Sequence, residues 1–144
     1  MVQAPTISAM DGEKSQFLYS WSEETTPLHE QPRLVLAFDN GRLSKKHCGV
    51  SINAEGMVNP EGGEYGEYKT HVRVKFDDEK PISQTWSITD SHDALSPHGE
   101  AQFLAQMLRH KKLIVEFSYY EKSPETVTFD LTGLAEDMRA AGLK

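Results

Sequence analysis

The strictest constraint on the fold is the segment 70–89, in which apolar residues recur at every second position of two stretches, with Gln84 as the one polar member. Successive side chains of a β-strand point to opposite faces, so this spacing predicts strands with one buried face. A polar turn at 77–81 interrupts the pattern and predicts a β-hairpin. A hairpin alone is marginally stable in water, so the chain must supply further strands. The apolar positions of the hairpin are Val72, Val74, Phe76, Ile82, Trp86 and Ile88.

Several other stretches repeat this alternation, and with the hairpin they make about seven predicted strands. Short turns join neighbouring strands, which favours antiparallel pairing. The sequence therefore predicts a mainly β, α+β fold, built as an antiparallel β-sandwich or as one highly curved sheet. In the stretch 16–22, the aromatic residues Phe17, Tyr19 and Trp21 share one strand face. The stretches are 16–22, 34–38, 48–52, 113–117 and 127–131.

Two helices are expected to accompany the sheet. Residues from about 97 to 110 carry apolar side chains at helical spacing, with Ser96 as the expected N-cap. A short C-terminal helix is expected from about 133 to 141, with Thr132 as its N-cap and Gly142 at its end. The internal helix is expected to seal one edge or end of the sheet.

The chain length fits one ordinary domain. Residues 1–15 are polar and show no clear period, so they are expected to form a flexible N-terminal arm. Residues 16–144 contain no internal repeat and no second boundary, so they are expected to form a single β-rich domain. The first residues do not have the basic and apolar regions of a signal peptide, and no apolar run is long enough to insert in a membrane. A cytoplasmic protein and a mature exported protein are both compatible with these features.

The net charge of −7 arises from 22 acidic and 15 basic residues. It argues against direct nucleic-acid binding, which needs lysine and arginine to displace counterions from phosphates. Acidity of this size commonly serves solubility, and it also suits a cationic partner or mimicry of nucleic acid. Cys48 is the single cysteine, so no intramolecular disulfide forms, and we expect Cys48 to be a small buried residue.

Reactive residue types gather in the loop before the internal helix. Ser91, His92 and Asp93 are those of a hydrolase triad, but neighbouring side chains point apart and cannot form one in the usual way. His92 and His98, with Asp90 and Asp93, fit no standard zinc spacing. We therefore predict no catalytic residue, no metal site and no cofactor.

The stretch 61–68 is the strongest candidate for a binding surface. Aromatic and acidic side chains lie there on a glycine-rich segment, and such loops are common recognition surfaces. The alternative is a solvated loop whose tyrosines fold back on the sheet. The residues predicted to contact a partner are Glu61, Glu64, Tyr65, Glu67 and Tyr68.

A fixed order of landmarks runs through residues 17–142. The landmarks are Trp21-Ser22, Thr26-Pro27-Leu28, the hairpin 72–81, Trp86-Ser87, a loop with Leu95 and Pro97, the helix with Phe103 and Leu108, the stretch 112–115 and the closing segment 128–134. This order resembles the type VI secretion-associated family called TagO or VasI, with related small bacterial and prophage proteins of unknown function. Members are typically exported accessory proteins without an established enzymatic activity. The resemblance therefore implies an accessory role and the bacterial periplasm, and it carries over no catalytic residue.

Three hypotheses for the function follow. The first is a non-enzymatic accessory or binding protein that acts through contact with another protein. The second is an inhibitor, encoded by a phage or plasmid, that binds a host protein, with acidic mimicry of nucleic acid as one means of doing so. The third is a hydrolase that uses the loop with His92 and His98.

Overall fold

The computed structural model describes residues 2–7, 14–24, 31–45, 48–64, 67–89 and 92–143. These residues form eleven strands and two helices. The strands are β1 (Val2–Ile7), β2 (Lys14–Trp21), β3 (Arg33–Asp39), β4 (Arg42–Leu43), β5 (Val50–Asn53), β6 (Gly62–Glu64), β7 (Glu67–Phe76), β8 (Ile82–Ile88), β9 (Ala94–Ser96), β10 (Lys112–Ser118) and β11 (Pro124–Asp130). The helices are α1 (Glu100–Met107) and α2 (Leu134–Ala140).

All described strands belong to one sheet, and every pair in it is antiparallel. The order along the sheet is β1-β2-β3-β5-β9-β8-β7-β10-β11, while β4 pairs with β3 and β6 pairs with β7. The predicted mainly β, antiparallel fold is confirmed, and it takes the form of a curved sheet. Four strands were not predicted. Strands β4, β6 and β9 have only two or three residues, too few to show an alternation, and β1 lies in the segment that was expected to be an arm.

The sheet curls until the residues that follow β2 reach β11, the edge strand on the opposite side. The backbone N–H of Glu23, just after β2, donates to the carbonyl of Thr128 in β11 over 2.9 Å. The carboxylate of Glu24 accepts the Thr128 backbone N–H at 2.7 Å and its hydroxyl at 2.8 Å. These bonds turn the sheet into a half-barrel around one hydrophobic core.

The helices close one end of this half-barrel, which we call the helical end. Phe103 of α1 packs on Phe76 and Trp86, with ring centroids 5.5 Å and 5.4 Å apart. Helix α2 buries Leu134 and Met138. Each such side chain contributes about 1.5–3 kcal/mol when it leaves water, so the helices are integral to the core. Neither described helix is long and apolar enough to cross a membrane.

The described part of the predicted N-terminal arm is a strand. Val2–Ile7 pairs with Lys14–Tyr19 of β2 along its whole length. The expectation of a flexible arm for 1–15 is thereby corrected for these residues. Pairing at a sheet edge uses backbone N–H and C=O groups, so a polar segment without an apolar face can still form a strand.

Strand β2 turns its aromatic side chains outward. Leu18 and Gln16 face the core with 1% and 3% of their surface exposed, whereas Trp21 is 46% exposed. Gln16 is tolerated inside because its side-chain amide donates to the carbonyl of Ala141 over 2.8 Å. The face shared by Phe17, Tyr19 and Trp21 is therefore the outer one.

Helix α1 is shorter than predicted and begins differently. It starts at Glu100, and Gly99 takes the N-cap position with a left-handed φ of 67°. The expected N-cap, Ser96, instead ends β9, where its hydroxyl donates to the Val50 carbonyl over 2.8 Å. The Glu100 carboxylate accepts the Val50 backbone N–H at 2.6 Å, so α1 is attached to the sheet at its first turn.

Helix α2 ends as predicted but does not begin as predicted. Gly133, with φ 81°, is its N-cap in place of Thr132. Gly142 adopts φ 75° at the other terminus. The N–H of Leu143 donates to the Met138 carbonyl over 2.8 Å, which completes a Schellman-type C-cap.

Candidate functional site

The predicted surface 61–68 is the hairpin between β6 and β7. Glu64 and Glu67 are opposite each other in the strand register, as the last described pair before its tip. Tyr65 lies outside the residues that the structure describes. The expected loop is thus a two-stranded extension of the sheet, which holds its flanking residues in a defined register.

Glu61 lies at the base of this hairpin and is already paired. Its carboxylate is 2.6 Å from Nδ1 of His71, and its backbone N–H donates to the Lys69 carbonyl over 2.8 Å. The carboxylate of Glu61, which was predicted to contact a partner, therefore already has a hydrogen-bond partner within the chain.

Tyr68 contacts the histidine loop. It is 37% exposed, and its ring centroid lies 4.4 Å from that of His92. His92 has a left-handed φ of 63°, its N–H donates to the Thr89 carbonyl, and its carbonyl accepts the N–H of Val58 at 2.7 Å. Nδ1 of His92 is buried without a hydrogen-bond partner. The two regions considered separately in the sequence meet at this ring contact.

The loop 54–60 closes the end of the half-barrel opposite the helices. The N–H of Ala54 donates to the Asp93 carbonyl over 2.7 Å, and the N–H of Asn59 donates to the Ser118 carbonyl over 2.9 Å. The hydroxyl of Tyr119 reaches the Ala54 carbonyl over 2.6 Å from the core side. These bonds fix the loop, so residues on its outer side are presented from a rigid base.

Exposed apolar side chains gather at this same end. Strands β2, β5, β8 and β10 end there, and β3, β7, β9 and β11 begin there, as the antiparallel order requires. We call it the aromatic end and define it by the exposed residues Trp21 (46%), Met57 (52%), Tyr68 (37%) and Tyr120 (48%). Met57 and Tyr120 are adjacent, because the N–H of Tyr120 donates to the Met57 carbonyl over 2.8 Å.

Arg33 lies at the aromatic end, beside the rings of Tyr19 and Trp21 on the outer face of the sheet. Its Cζ lies 5.4 Å from the ring centroid of Tyr19 and 5.2 Å from that of Trp21. The two rings meet edge to face with centroids 6.3 Å apart. The nearest described carboxylate is that of Glu55, whose Oε1 is 3.8 Å from the guanidinium. Tryptophan, tyrosine and arginine are the residues that contribute most to protein interfaces.

Of the two histidines in the hydrolase hypothesis, His98 bonds to a serine of β8. Ser87 and His98 are paired, with 2.9 Å between Oγ and Nε2, beside an open groove of about 700 Å³. No described carboxylate bonds to His98, so the group that would orient the imidazole is missing there. Cys48, expected to be buried, is exposed at this groove. Asp90 and Ser91 lie outside the described residues.

His92 and His98, considered above as metal ligands, have different neighbours in the structure. No group of three or more histidine, cysteine, aspartate or glutamate side chains is gathered in the described part of the chain. The ring of His92 contacts that of Tyr68 at the aromatic end, tilted by 51°, whereas His98 bonds to Ser87 beside α1. The structure places the two histidines in different local environments.

Asp130, next to the last helix, has a structural role. Its Oδ1 accepts the backbone N–H of Thr132 at 2.9 Å. Hydrogen bonds from the Thr132 backbone and side chain hold the pKa of this carboxyl below its usual value, because they stabilise the charged form. The carboxylate therefore shapes the turn that leads into α2.

Comparisons with protein-family models, with curated proteins and with solved structures find no match to this chain. The resemblance to the TagO or VasI family stays a prediction. Inference about function rests on the site itself.

Proposed function

We propose that this chain is a non-enzymatic binding domain that recognises another protein through its aromatic end. One observation carries the proposal. Four of the six exposed large apolar side chains in the described residues lie at that end, and Arg33 lies beside them. Exposed apolar residues scattered singly are normal, whereas a gathering of tryptophan, tyrosine and methionine marks an interaction surface.

The rigidity of the surface supports this reading. Met57 stands on the hydrogen-bonded loop 54–60, Tyr68 on a paired strand, and Tyr120 directly after the Val58–Tyr119 bridge. A preformed surface loses little conformational freedom on binding, so more of the contact energy appears as affinity. The accessory role and the bacterial periplasm implied by the TagO or VasI resemblance belong to this proposal as its expected setting.

The pairing of acidic side chains weighs against nucleic-acid mimicry. Glu61 is bonded to His71, Glu24 to Thr128, and Glu55 lies near Arg33. Mimicry of phosphates requires free carboxylates in a row, whereas Glu61 and Glu24 are hydrogen-bonded within the chain and Glu55 is loosely paired with Arg33. Protein binding through apolar and aromatic contacts is the function that the geometry supports best.

Affinity capture with matched baits tests the proposal. One bait carries Met57→Ala and Tyr120→Ala at the aromatic end. The control carries Ile82→Ala and Leu108→Ala, which remove exposed apolar side chains (59% and 39% exposed) toward the helical end. A partner retained by wild type and control but lost from the first bait supports the proposal, since hot-spot truncations cost about 2 kcal/mol or more. Equal recovery of every partner on all baits contradicts it.

A further inference from the structure

Arg33 is held in place by the register of two strands. It opens β3 directly opposite Trp21, the last residue of β2, and Tyr19 follows two positions back on the same face. The cation therefore lies over both rings because of strand pairing. A guanidinium fixed on regular structure and on aromatic faces is oriented before any ligand arrives.

The guanidinium has no hydrogen-bond acceptor among the described residues. Nε of Arg33 is buried and unpartnered, and the approach of Glu55 at 3.8 Å is too long for a hydrogen bond. Arginine presents five N–H donors in a planar fork that matches a carboxylate. Two further buried side-chain atoms, in Thr70 and His92, also have no partner among the described residues, so the Nε alone does not single out Arg33. Its terminal nitrogens, held beside two aromatic rings, are the donors left for a ligand.

We propose that Arg33 receives an acidic side chain of the partner, bound end-on by its terminal nitrogens beside the exposed ring of Trp21. This inference rests on the proposed function, since it names one group of the same partner. The buried Nε excludes the side-on approach, which leaves the terminal N–H groups for the incoming carboxylate. Trp21, 46% exposed, offers apolar contact area to the residues that flank the acidic side chain.

The carboxylate of Glu55 competes with the partner's carboxylate for the guanidinium of Arg33. Its carboxylate stands near the guanidinium without bonding to it, on a residue with a left-handed φ of 56°. A partner carboxylate displaces a loose ion pair and forms charge-assisted hydrogen bonds in its place. Removal of the Glu55 charge therefore strengthens binding, whereas removal of the Arg33 charge abolishes it. A merely structural Arg33 would not produce this opposite pair of effects.

The test is an NMR titration of the full chain with short peptides at about 0.15 M salt, which screens the overall negative charge beyond roughly 8 Å. The probe is an N-acetylated, C-amidated hexapeptide with one glutamate between two leucines. Its controls are the same peptide with glutamine and a glutamate-free peptide with a free C-terminal carboxylate. We expect the glutamate peptide to shift the Arg33 Nε–H resonance saturably and to bind about tenfold more tightly than the glutamine peptide.

The variants complete the test. Glu55→Gln should bind the glutamate peptide more tightly than wild type does. Arg33→Lys should bind it about tenfold more weakly, because lysine does not have the planar fork of N–H donors. Arg33→Gln should not bind it. Equal binding of the glutamate and glutamine peptides to wild type overturns the inference, and so does preferential binding of the free C-terminal carboxylate. The peptide pair and Glu55→Gln keep the test decisive if Arg33→Gln does not fold.

The two proposals fail separately. If the partner requires Met57 and Tyr120 but binds Arg33→Gln as well as wild type, the carboxylate site is wrong and the proposed function stands. If the partner is indifferent to Met57 and Tyr120, the proposed function is wrong, and the peptide titration still decides the Arg33 site.

Discussion

Glu24 bonds to Thr128 across a separation of 104 positions in the chain, with one carboxylate oxygen on the backbone N–H and the other on the hydroxyl. This carboxylate occupies the outer edge of β11, where a further strand would otherwise pair. It therefore closes the half-barrel and blocks an open sheet edge at the same time.

Replacement of Glu24 should loosen this closure. We expect Glu24→Ala to lower the free energy of unfolding by about 1.5–3 kcal/mol, because charged hydrogen bonds are lost and the Thr128 N–H is left without its acceptor. Urea denaturation measures the change. Glu23→Ala is the matched control, since Glu23 contributes its backbone N–H, which the substitution keeps. A loss as large in Glu23→Ala would show that the side-chain bond is not the cause.

Removal of the Tyr119 hydroxyl should weaken the loop beneath the aromatic end. Tyr119→Phe leaves the Ala54 carbonyl without this donor, and we expect a loss of about 1–3 kcal/mol. Faster hydrogen exchange at the amides of Ala54 and Val58 would locate the effect in the loop. Tyr120→Phe, on an exposed side chain, should change neither quantity. Unchanged exchange in Tyr119→Phe would mean that the loop is held by its backbone bonds alone.

His110 should make stability depend on pH. The Gln106 carbonyl, bonded to Nδ1 at 2.7 Å, raises the pKa of His110 above its usual 6.5, and Glu79, 3.3 Å from Nε2, and Asp77 add to the rise. Phe76 stacks on the ring at 4.8 Å, and partial burial there opposes the rise only in part. The protonated form is thus favoured in the folded state.

Because the pKa of His110 is raised in the folded state, the stability that it contributes should decrease as the pH rises. Stability from a raised pKa is fully present below the unfolded pKa and is lost as pH rises through the folded pKa. We therefore expect wild type to exceed His110→Gln most at about pH 5.5, with the difference falling toward about pH 8. Urea midpoints at several pH values measure it. A difference that grows with pH would contradict the prediction.

Gly142 should resist substitution for a conformational reason. Its φ of 75° is unfavourable for any residue with a Cβ, although a Cβ at this position would meet no other atom within 4 Å. We expect Gly142→Ala to cost about 1 kcal/mol in the free energy of unfolding. Gly62→Ala, with equally open space and no positive φ, should be neutral or slightly stabilising. Equal effects of the two substitutions would contradict this explanation.

The fold was predictable where the side-chain pattern is long. Strands β7 and β8 show the alternation over seven or more residues, so their hairpin could be derived from sequence. Strand β1 has no apolar face and β9 is three residues long, so neither leaves a pattern. Ser96 and Thr132 have the side chains of N-caps, but glycines in left-handed conformation take both positions. Tertiary attachment of each helix outweighed the local preference.

The candidate site was predictable only in part, because its members come from distant strands. Tyr68 was predicted as a contact residue from its own neighbourhood in the sequence, and its side chain is 37% exposed. Trp21, Met57 and Tyr120 join it only through the strand order, which no local pattern contains. The outward orientation of Trp21 also depends on a buried hydrogen-bond acceptor for Gln16, and that acceptor is the carbonyl of Ala141, the C-cap of α2.

The opposite environments of the two tryptophans give the molecule two separate optical reporters. Trp86 is 1% exposed and lies against Phe103 in the core, whereas Trp21 is 46% exposed beside Arg33. A quencher dissolved in water reaches the indole of Trp21, and it reaches the indole of Trp86 only when the chain unfolds. Emission from one protein, without any label, therefore separates occupation of the surface from loss of the fold.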